Sequence, residues 1–523
     1  MRRTFRLRSL AVVVAAAVIT ACVISTNTGV APLAKPTVGF PARQVRTPLK
    51  AHLIDGTVVM FPSGAMLDPY SVVGNGTRFD ATRSNALPLA QLRVPMDSVL
   101  GLAVYDRFVN PGRTLLYSTL TAAGMAAATA GLAVAMFGSC PTIYADSAGI
   151  PVLQAESFSF SIAPLLESRD VDRLSVNPDS TGVVRLEVRN EALETHYTDH
   201  LELLELRHDP DEYALPLPSG GAVAVRAVGP PASARDRSGR DVRRLIEAAD
   251  SAVFATDDTV LARAAEGLGP VGDHIDLTVP RASKRDSVAL VLRMRSSLLS
   301  TTLFYEHMLA RPGATALDWV GRDLSSIATV AGLAKWYDRS FGLRIAVLDD
   351  GEWREVARVN EAGPTAWRDV AVLLPAVGTD SMRVRLSFVA DEWRIDRIAL
   401  AWDVRRLEAR TIPLATVTAS DGSARPDVAD MLRHADERRL QTEPGQRYRV
   451  TFDVGRAPRG TRTYLLAAKG YYVEWVRGRW LAVAKDSVPF TPANGTVREI
   501  LRSWRASKDS LERHFFNLRV PVI

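Results

Sequence analysis

The tightest limit on the fold of this chain comes from six short runs between residues 271 and 403: "DHIDLTVP", "SVALVLRMR", "GLRIAVLDD", "WRDVAVLLP", "MRVRLSFVA" and "WRIDRIALAWD". Val, Ile, Leu or Phe recurs in them with a period near two, Arg, Asp or Thr falls between, and turn residues separate one run from the next. That period places apolar side chains on one side of an extended strand, whereas a helix would scatter them around its axis. Several such strands at this spacing predict a jelly-roll-like β-sandwich over 270–403.

The pattern extends in both directions. Residues 49–112 alternate as short strands, with Asp55-Gly56 and Asn75-Gly76 placed as hairpin turns because both dipeptides tolerate positive φ. They predict a small β-meander or barrel. "GVVRLEVRNEALETHYTDHLELLELRH", "PGQRYRVTFDV" and "RTYLLAAKGYYVEWV" add further strands, and helical pieces are expected at 240–251, 427–440 and 497–515. The fold class is therefore mainly β: a small N-terminal β domain, one apolar helix of transmembrane length, then β-sandwich-like domains with a few helices. The expected divisions are a signal peptide at 1–21, a lipidated tether at 22–48, the small β domain at 49–112 and the apolar helix at 115–137. A β-rich domain at 138–228, a linker with a helical segment at 229–269, the sandwich at 270–403 and a C-terminal β domain with a terminal helix at 404–523 complete the chain.

The N-terminus indicates a compartment. Arg2, Arg3, Arg6 and Arg8 precede an apolar run at 10–21, the charged and hydrophobic parts of an export signal. Ile19-Thr20-Ala21-Cys22 resembles the bacterial lipobox, which implies cleavage before Cys22 and a diacylglycerol on its sulfur. Cys22 and Cys140 are the two cysteines of the chain, so a lipidated Cys22 leaves no intramolecular disulfide, and 523 residues can bury cores without one.

The segment 115–137 holds no charge and is long enough to cross a bilayer, with Ala123, Ala127, Gly131 and Ala135 four apart as a small-residue ridge for helix packing. Arg107 and Arg113 before it and Asp146 and Glu156 after it put its N-terminal side in the cytoplasm, against the export signal. The export signal takes precedence here. The segment is read as membrane-associated or packed on a partner, and the bulk of the chain as extracytoplasmic. The formal charge of +6 includes the four signal arginines, and 57 arginines stand against seven lysines without aromatic interleaving, which argues against nucleic acid as a partner.

Four phrases carry a resemblance: "GSCPTIYADSAG" (138–149), "VRLEVRNEALETHYTDHLELLELRHDPDEYALP" (184–216), "PPASARDRSGRDV" (230–242) and "EPGQRYRVTFDVGRAPRGTRTYLLAAKGYY" (443–472). In this order they resemble the β-rich C-terminal region of large bacterial extracytoplasmic proteins that carry FG-GAP, ASPIC/UnbV-type or tetratricopeptide repeats upstream. The resemblance covers most of 138–523, departs at the front, where no propeller repeat is present, and implies an exported protein without transferring any functional residue.

Candidate chemistry is sparse. His196 and His200 are four apart, a helical spacing for zinc, but tyrosine follows His196 where a zinc protease has glutamate. On a strand the two would stand about 13 Å apart, too far for one ion; His208 follows another strand-like run. Asp349-Asp350-Gly351 and Asp209-Pro210-Asp211 lack the calcium-loop pattern and read as a hairpin turn and a polar loop. Neither a Gly-x-Ser-x-Gly elbow nor a phosphate-binding glycine loop is present.

Glu392, Asp396 and Asp403, near Trp393 and Trp402, could line a sugar cleft, and Trp336, Trp353 and Trp367 could stack on carbohydrate, with core packing as the simpler role. Tyr471, Tyr472, Trp475 and Trp480 form an aromatic cluster with one face inward and the other toward a partner or the last helix. The sequence assigns no catalytic, cofactor or metal residue. It points to an envelope lipoprotein that binds a protein or glycan without catalysis, with an exported glycoside hydrolase and a membrane assembly or signalling component acting through 115–137 as alternatives.

Overall fold

The computed structural model describes residues 26–33, 35–47, 49–53, 58–61, 63–79, 86–109, 141–147, 150–192, 194–250, 252–280, 288–311, 324, 326–360, 362–375, 381–436, 438–443, 445–456, 461–474 and 490–514. Cys22, the segment 115–137, Cys140, Trp475 and Trp480 lie outside these residues. Among the described residues no helix is long and apolar enough to cross a membrane. The chain divides into two compact units, Met1–Met136 with Arg477–Ala482, and Phe137–Val476 with Val483–Ile523. The protein is mainly β.

The first unit carries one antiparallel eight-stranded sheet around Leu49, Phe61, Leu67, Val72, Val94 and Leu102. Thr26–Leu33, assigned above to the tether, pairs with Val99–Val109 at the sheet edge. An edge position tolerates Pro32, whose nitrogen cannot donate to a ladder. Leu49–Leu53 pairs with Val58–Phe61 as the Asp55-Gly56 signal predicts, although residues 54–57 themselves are outside the described set. Asn75-Gly76 is not a turn. It lies inside Ser71–Phe79 at a register shift, where the Asn75 side-chain carbonyl accepts the Gln91 N–H at 2.9 Å. A Cβ on Gly76 would come within 2.8 Å of the Met60 carbonyl oxygen, so glycine here serves close backbone approach.

In the second unit all six runs of the predicted sandwich are strands, distributed over two five-stranded antiparallel sheets. One orders Tyr213–Pro216, Ala222–Gly229, Trp393–Leu407, Val288–Ser296 and Arg368–Leu374; the other orders Ser233–Asp236, Gly272–Pro280, Ser381–Val389, Leu343–Asp349 and Glu352–Val359. Leu290, Leu292, Ile398 and Leu400 from the first share a core with Ile275, Leu277, Val384 and Leu386 from the second. Ala289, Val291, Ala399 and Ala401 fall on the opposite side, in a second cluster with Leu215, Val223 and Val225. A strand buried on both faces has to be apolar at nearly every position, which accounts for "VALVL" and "IALA". A nine-stranded antiparallel sheet built from the remaining strands joins this layer through Leu206 and Leu465, which pack with Ala214 and Ala222.

Among the described residues the unit also holds five α-helical segments: α1 Asp258–Glu266, α2 Leu299–Thr302, α3 Ile327–Ser340, α4 Pro426–Leu432 and α5 Thr496–His514. Asp257 caps α1 by accepting the Thr259 N–H at 2.9 Å, and Gly267 ends it at φ 81°. α2 runs directly into a π-helical stretch, Leu303–Ala310. Of the three expected helices, 497–515 forms as α5, and 427–440 is helical only in its first half, as α4, since its last residue Leu440 begins a strand. The stretch 240–251 does not form one: it contains a single 3₁₀ turn, Arg243–Leu245, because its backbone is used elsewhere, with the Ile246 carbonyl accepting the Ile398 N–H at 2.8 Å.

Candidate functional site

A cavity of about 360 Å³ opens in the second unit between segments distant in sequence. The strand Ile150–Glu156 and the loop after it supply Glu156, Ser159, Phe160 and Ile162. α2 and the π-helical stretch supply Ser300, Leu303, Phe304 and Met308, α3 supplies Leu333, Ala334, Tyr337 and Asp338, and the strand Thr461–Glu474 supplies Tyr472. The volume is at the small end of the range for small-molecule sites, and the lining is mostly aliphatic and aromatic.

Local chemistry explains each wall. Glu156 is buried, and its Oε2 accepts the Thr365 N–H at 2.8 Å and the Ala366 N–H at 3.3 Å. The carboxylate reaches that backbone because residue 363 is glycine: a Cβ there would lie 2.2 Å from Oε2. The Tyr472 hydroxyl donates to the Ser159 carbonyl at 3.0 Å, and its ring meets Phe304 edge-on at 6.4 Å. The Tyr305 hydroxyl donates to Glu474, which fixes the π-helical stretch on the sheet. π-Helical turns are uncommon and concentrate at functional sites.

α3 is held more lightly. Ser326 caps its start, only Val330 and Leu333 are buried along its length, and Ile327 is 77% exposed. Tyr337 stacks on Phe341 at 4.9 Å and meets Phe160 at 5.5 Å, so one aromatic row closes this side of the cavity.

Behind the cavity stands a charged cluster. Arg368 Nε lies 3.3 Å from Asp172, and its Nη2 lies 3.5 Å from Asp170. Burial pushes the Asp172 carboxyl well above the usual range; Arg368 pulls it back, and Asp170 and Glu156 push it further up.

Of the residues singled out in the sequence as candidate chemistry or aromatic contacts, Tyr472 lines this cavity and the others lie elsewhere. His196 lies buried inside the strand Glu194–His208 and shares a 2.8 Å hydrogen bond with Glu194. Burial lowers its imidazole to about 3, so the ring is neutral and the contact is a hydrogen bond rather than an ion pair. His200 follows a register shift on the same strand, and His208 bonds Thr463 at 2.9 Å. Asp349-Asp350-Gly351 forms a tight hairpin with φ of 49° at Asp350 and 84° at Gly351. Asp209 and Asp211 both pair with Arg226.

Of the residues that could line a sugar cleft, Trp393, Glu392 and Asp396 are buried and engaged within the fold. Trp393 is 1% exposed within the sandwich core. Glu392 accepts the Gly342 and Val389 N–H groups at 2.7 and 3.0 Å, and burial raises its carboxyl to about 7 against those bonds. Asp396 holds Arg293 at 2.9 Å and the Asp250 N–H at 3.2 Å. Asp403 sits at a positive φ of 54° in the same strand, and Trp402 packs on the core margin.

Trp336 meets Phe341 and Phe490, the Arg385 guanidinium covers Trp353 at 4.3 Å, and Arg293 and Arg295 flank Trp367. Tyr471 and Tyr472 are both buried: Tyr471 stacks on Tyr197 at 4.7 Å, while Tyr472 meets Phe304 of the π-helical stretch. Apart from Tyr472, the cavity residues carry no motif in the sequence, and the apolar-rich run "LLSTTLFYEHML" is the local signal for one wall.

No family model matches the chain, and no curated protein matches it. Among solved structures, it is similar to a GH31 alpha-xylosidase from Xanthomonas citri at 10% identity, covering 84% of this chain and 38% of that one, with a TM-score of 0.15. It is similar to infectious bursal disease virus Gt strain at 12% identity, covering 94% and 93% of the two chains, with a TM-score of 0.16. A third, the secreted serine protease VesC from Vibrio cholerae, gives 8% identity over 68% and 64%, with a TM-score of 0.10. The chain spans under two fifths of the length of the xylosidase. Overlaps this slight establish neither fold nor activity.

Proposed function

We propose that the chain is a noncatalytic binding module of the bacterial envelope, held at the membrane by a lipid on Cys22. Its second-unit cavity takes a small ligand with an apolar body and a hydrogen-bond-donating or cationic end. The lining carries this reading. Its surface is mainly apolar and aromatic, its two carboxylates are Glu156 and Asp338, and no Lys or Arg lines it among the described residues. A buried anion would meet like charge there, whereas a donor group or cation would meet an acceptor.

Both carboxylates also have structural partners. Glu156 holds two backbone amides, and Asp338 pairs with Arg358 at 2.6 Å, which favours binding over acid–base chemistry. The arginine-led apolar N-terminus, the lipobox-like Ile19-Thr20-Ala21-Cys22 and the resemblance of 138–523 to extracytoplasmic β-rich regions support the placement at the envelope. The apolar segment 115–137 is a second membrane contact in this reading.

Fluorescence titration with the neutral apolar dye Nile red tests the cavity. Uptake by the wild type and its loss in Ala334→Trp, which fills the cavity from exposed α3, is expected at an unchanged unfolding midpoint. Equal uptake by both proteins would contradict it.

A further inference from the structure

We infer that the outer face of the sheet containing Gly272–Pro280 and Ser381–Val389 binds an acidic polysaccharide, a chain of sugars bearing carboxylates. The alternation that sends Ile275, Leu277, Val384 and Leu386 into the core sends their neighbours outward, and the strand register arranges these as a grid. Arg235 pairs with Asp276 and Asp276 with Arg385; Ser233 pairs with Thr278 and Thr278 with Arg383; His274 pairs with Ser387 and Ser387 with Arg344. Neighbouring rows are about 7 Å apart and neighbouring strands about 4.8 Å, the spacing of an extended polymer's substituents rather than of one compact ligand. Two recesses of about 320 and 530 Å³ open on this face and share Arg237 and His274.

Charge selects the ligand. Arg235, Arg237, Arg339, Arg344, Arg383 and Arg385 line the two recesses, against Asp236, Asp273 and Asp276. Asp236 is taken by Arg240 and by backbone amides, and Asp273 by the Thr256 hydroxyl at 2.8 Å and the His274 N–H. Asp276 holds Arg385 through two bonds of 2.6 and 2.7 Å, with Arg383 at 3.7 Å. Arg235 and Arg237 are exposed and donate to the Gly239 and Gly272 carbonyls, and no carboxylate pairs with either among the described residues.

Guanidinium groups match carboxylates with two parallel bonds. The hydroxyls of Ser233, Thr278 and Ser387 and the oxygens of Asp276 between them match sugar hydroxyls. The face shares no lining residue with the apolar cavity, so its test is independent of that site.

The test is calorimetric titration of the full chain in phosphatidylcholine nanodiscs, free of detergent, with polygalacturonate, with dextran, single-stranded DNA and phosphatidylglycerol vesicles as the comparison arms. Polygalacturonate should bind more tightly than the other three and weaken with added salt. Arg237→Ser/Arg383→Ser should lower its affinity at least tenfold at an unchanged unfolding midpoint, while Arg449→Ser, on another sheet, leaves it unchanged. No polygalacturonate binding, equal binding of dextran, tighter binding of DNA or vesicles, or wild-type affinity in the double variant would each overturn the inference.

Discussion

His196 and Glu392 are both sealed from water, and burial moves them in opposite directions on the pH scale. The His196 imidazole is lowered to about 3 from an ordinary 6.5. Between those values the unfolded ring takes up a proton that the folded ring refuses, so stability contributed above pH 6.5 is lost as pH falls toward 3. The ceiling is on the order of 5 kcal/mol. Glu392 is raised to about 7 from 4.5, so the folded carboxyl keeps a proton that the unfolded one releases, and stability falls as pH rises across that window.

Urea unfolding at pH 4, 5.5 and 7.5 separates the two. His196→Gln should flatten the loss on the acid side, and Glu392→Gln should flatten the fall between 4.5 and 7. Parallel pH profiles for wild type and both variants would show that neither group is titrated by folding. The histidines were visible in the sequence, but their roles were not. A lone sequence position does not reveal that Glu194 sits beside the ring or that both are buried.

At the level of elements, α5 is the clearest case of sequence legibility. Ile500, Leu501, Trp504 and Leu511 are buried on one side of an otherwise charged helix. Arg498 and Arg502 donate to the Ala264 and Ala265 carbonyls at the end of α1, where a helix accumulates unsatisfied acceptors. Asp391 anchors the other contact: it accepts Trp504 Nε1–H at 2.8 Å, with Lys508 at 3.1 Å and Arg394 at 2.7 Å.

Trp504→Phe keeps most of the packing but removes one donor from a buried carboxylate. It should cost about 1–3 kcal/mol, read as a lower urea midpoint. An unchanged midpoint would mean the helix docks without that bond. α2 and its π-helical continuation were illegible because the polar residues of "LSTTLFYEHMLA", Ser300, Thr301, Thr302, Glu306 and His307, are clustered in sequence and leave no periodic apolar stripe. The stretch 240–251 misled in the other direction. Its helix-forming residues are overridden by pairing along Trp393–Leu407, which includes the bridge between Phe254 and Ile395.

For the whole molecule, the strand runs announced the mainly β architecture because a two-residue period survives any arrangement of sheets. Their assignment to two five-stranded sheets and a nine-stranded one depends on long-range pairings, such as Tyr197 with Tyr471 across 274 positions, that no local pattern encodes. The cavity was hidden for the same reason, since its walls come together only when those sheets do.

The envelope placement predicts that cells fed a labelled fatty acid incorporate it into the wild type and not into Cys22→Ser, and that the variant leaves the membrane fraction. Label in both proteins would exclude Cys22 as the attachment point. The binding claim is tested most directly by native mass spectrometry of the chain purified from its own membranes. The account predicts a small-molecule adduct that leaves on collisional activation and is absent from Ala334→Trp; a bare mass for the wild type, or the same adduct on both proteins, would contradict it.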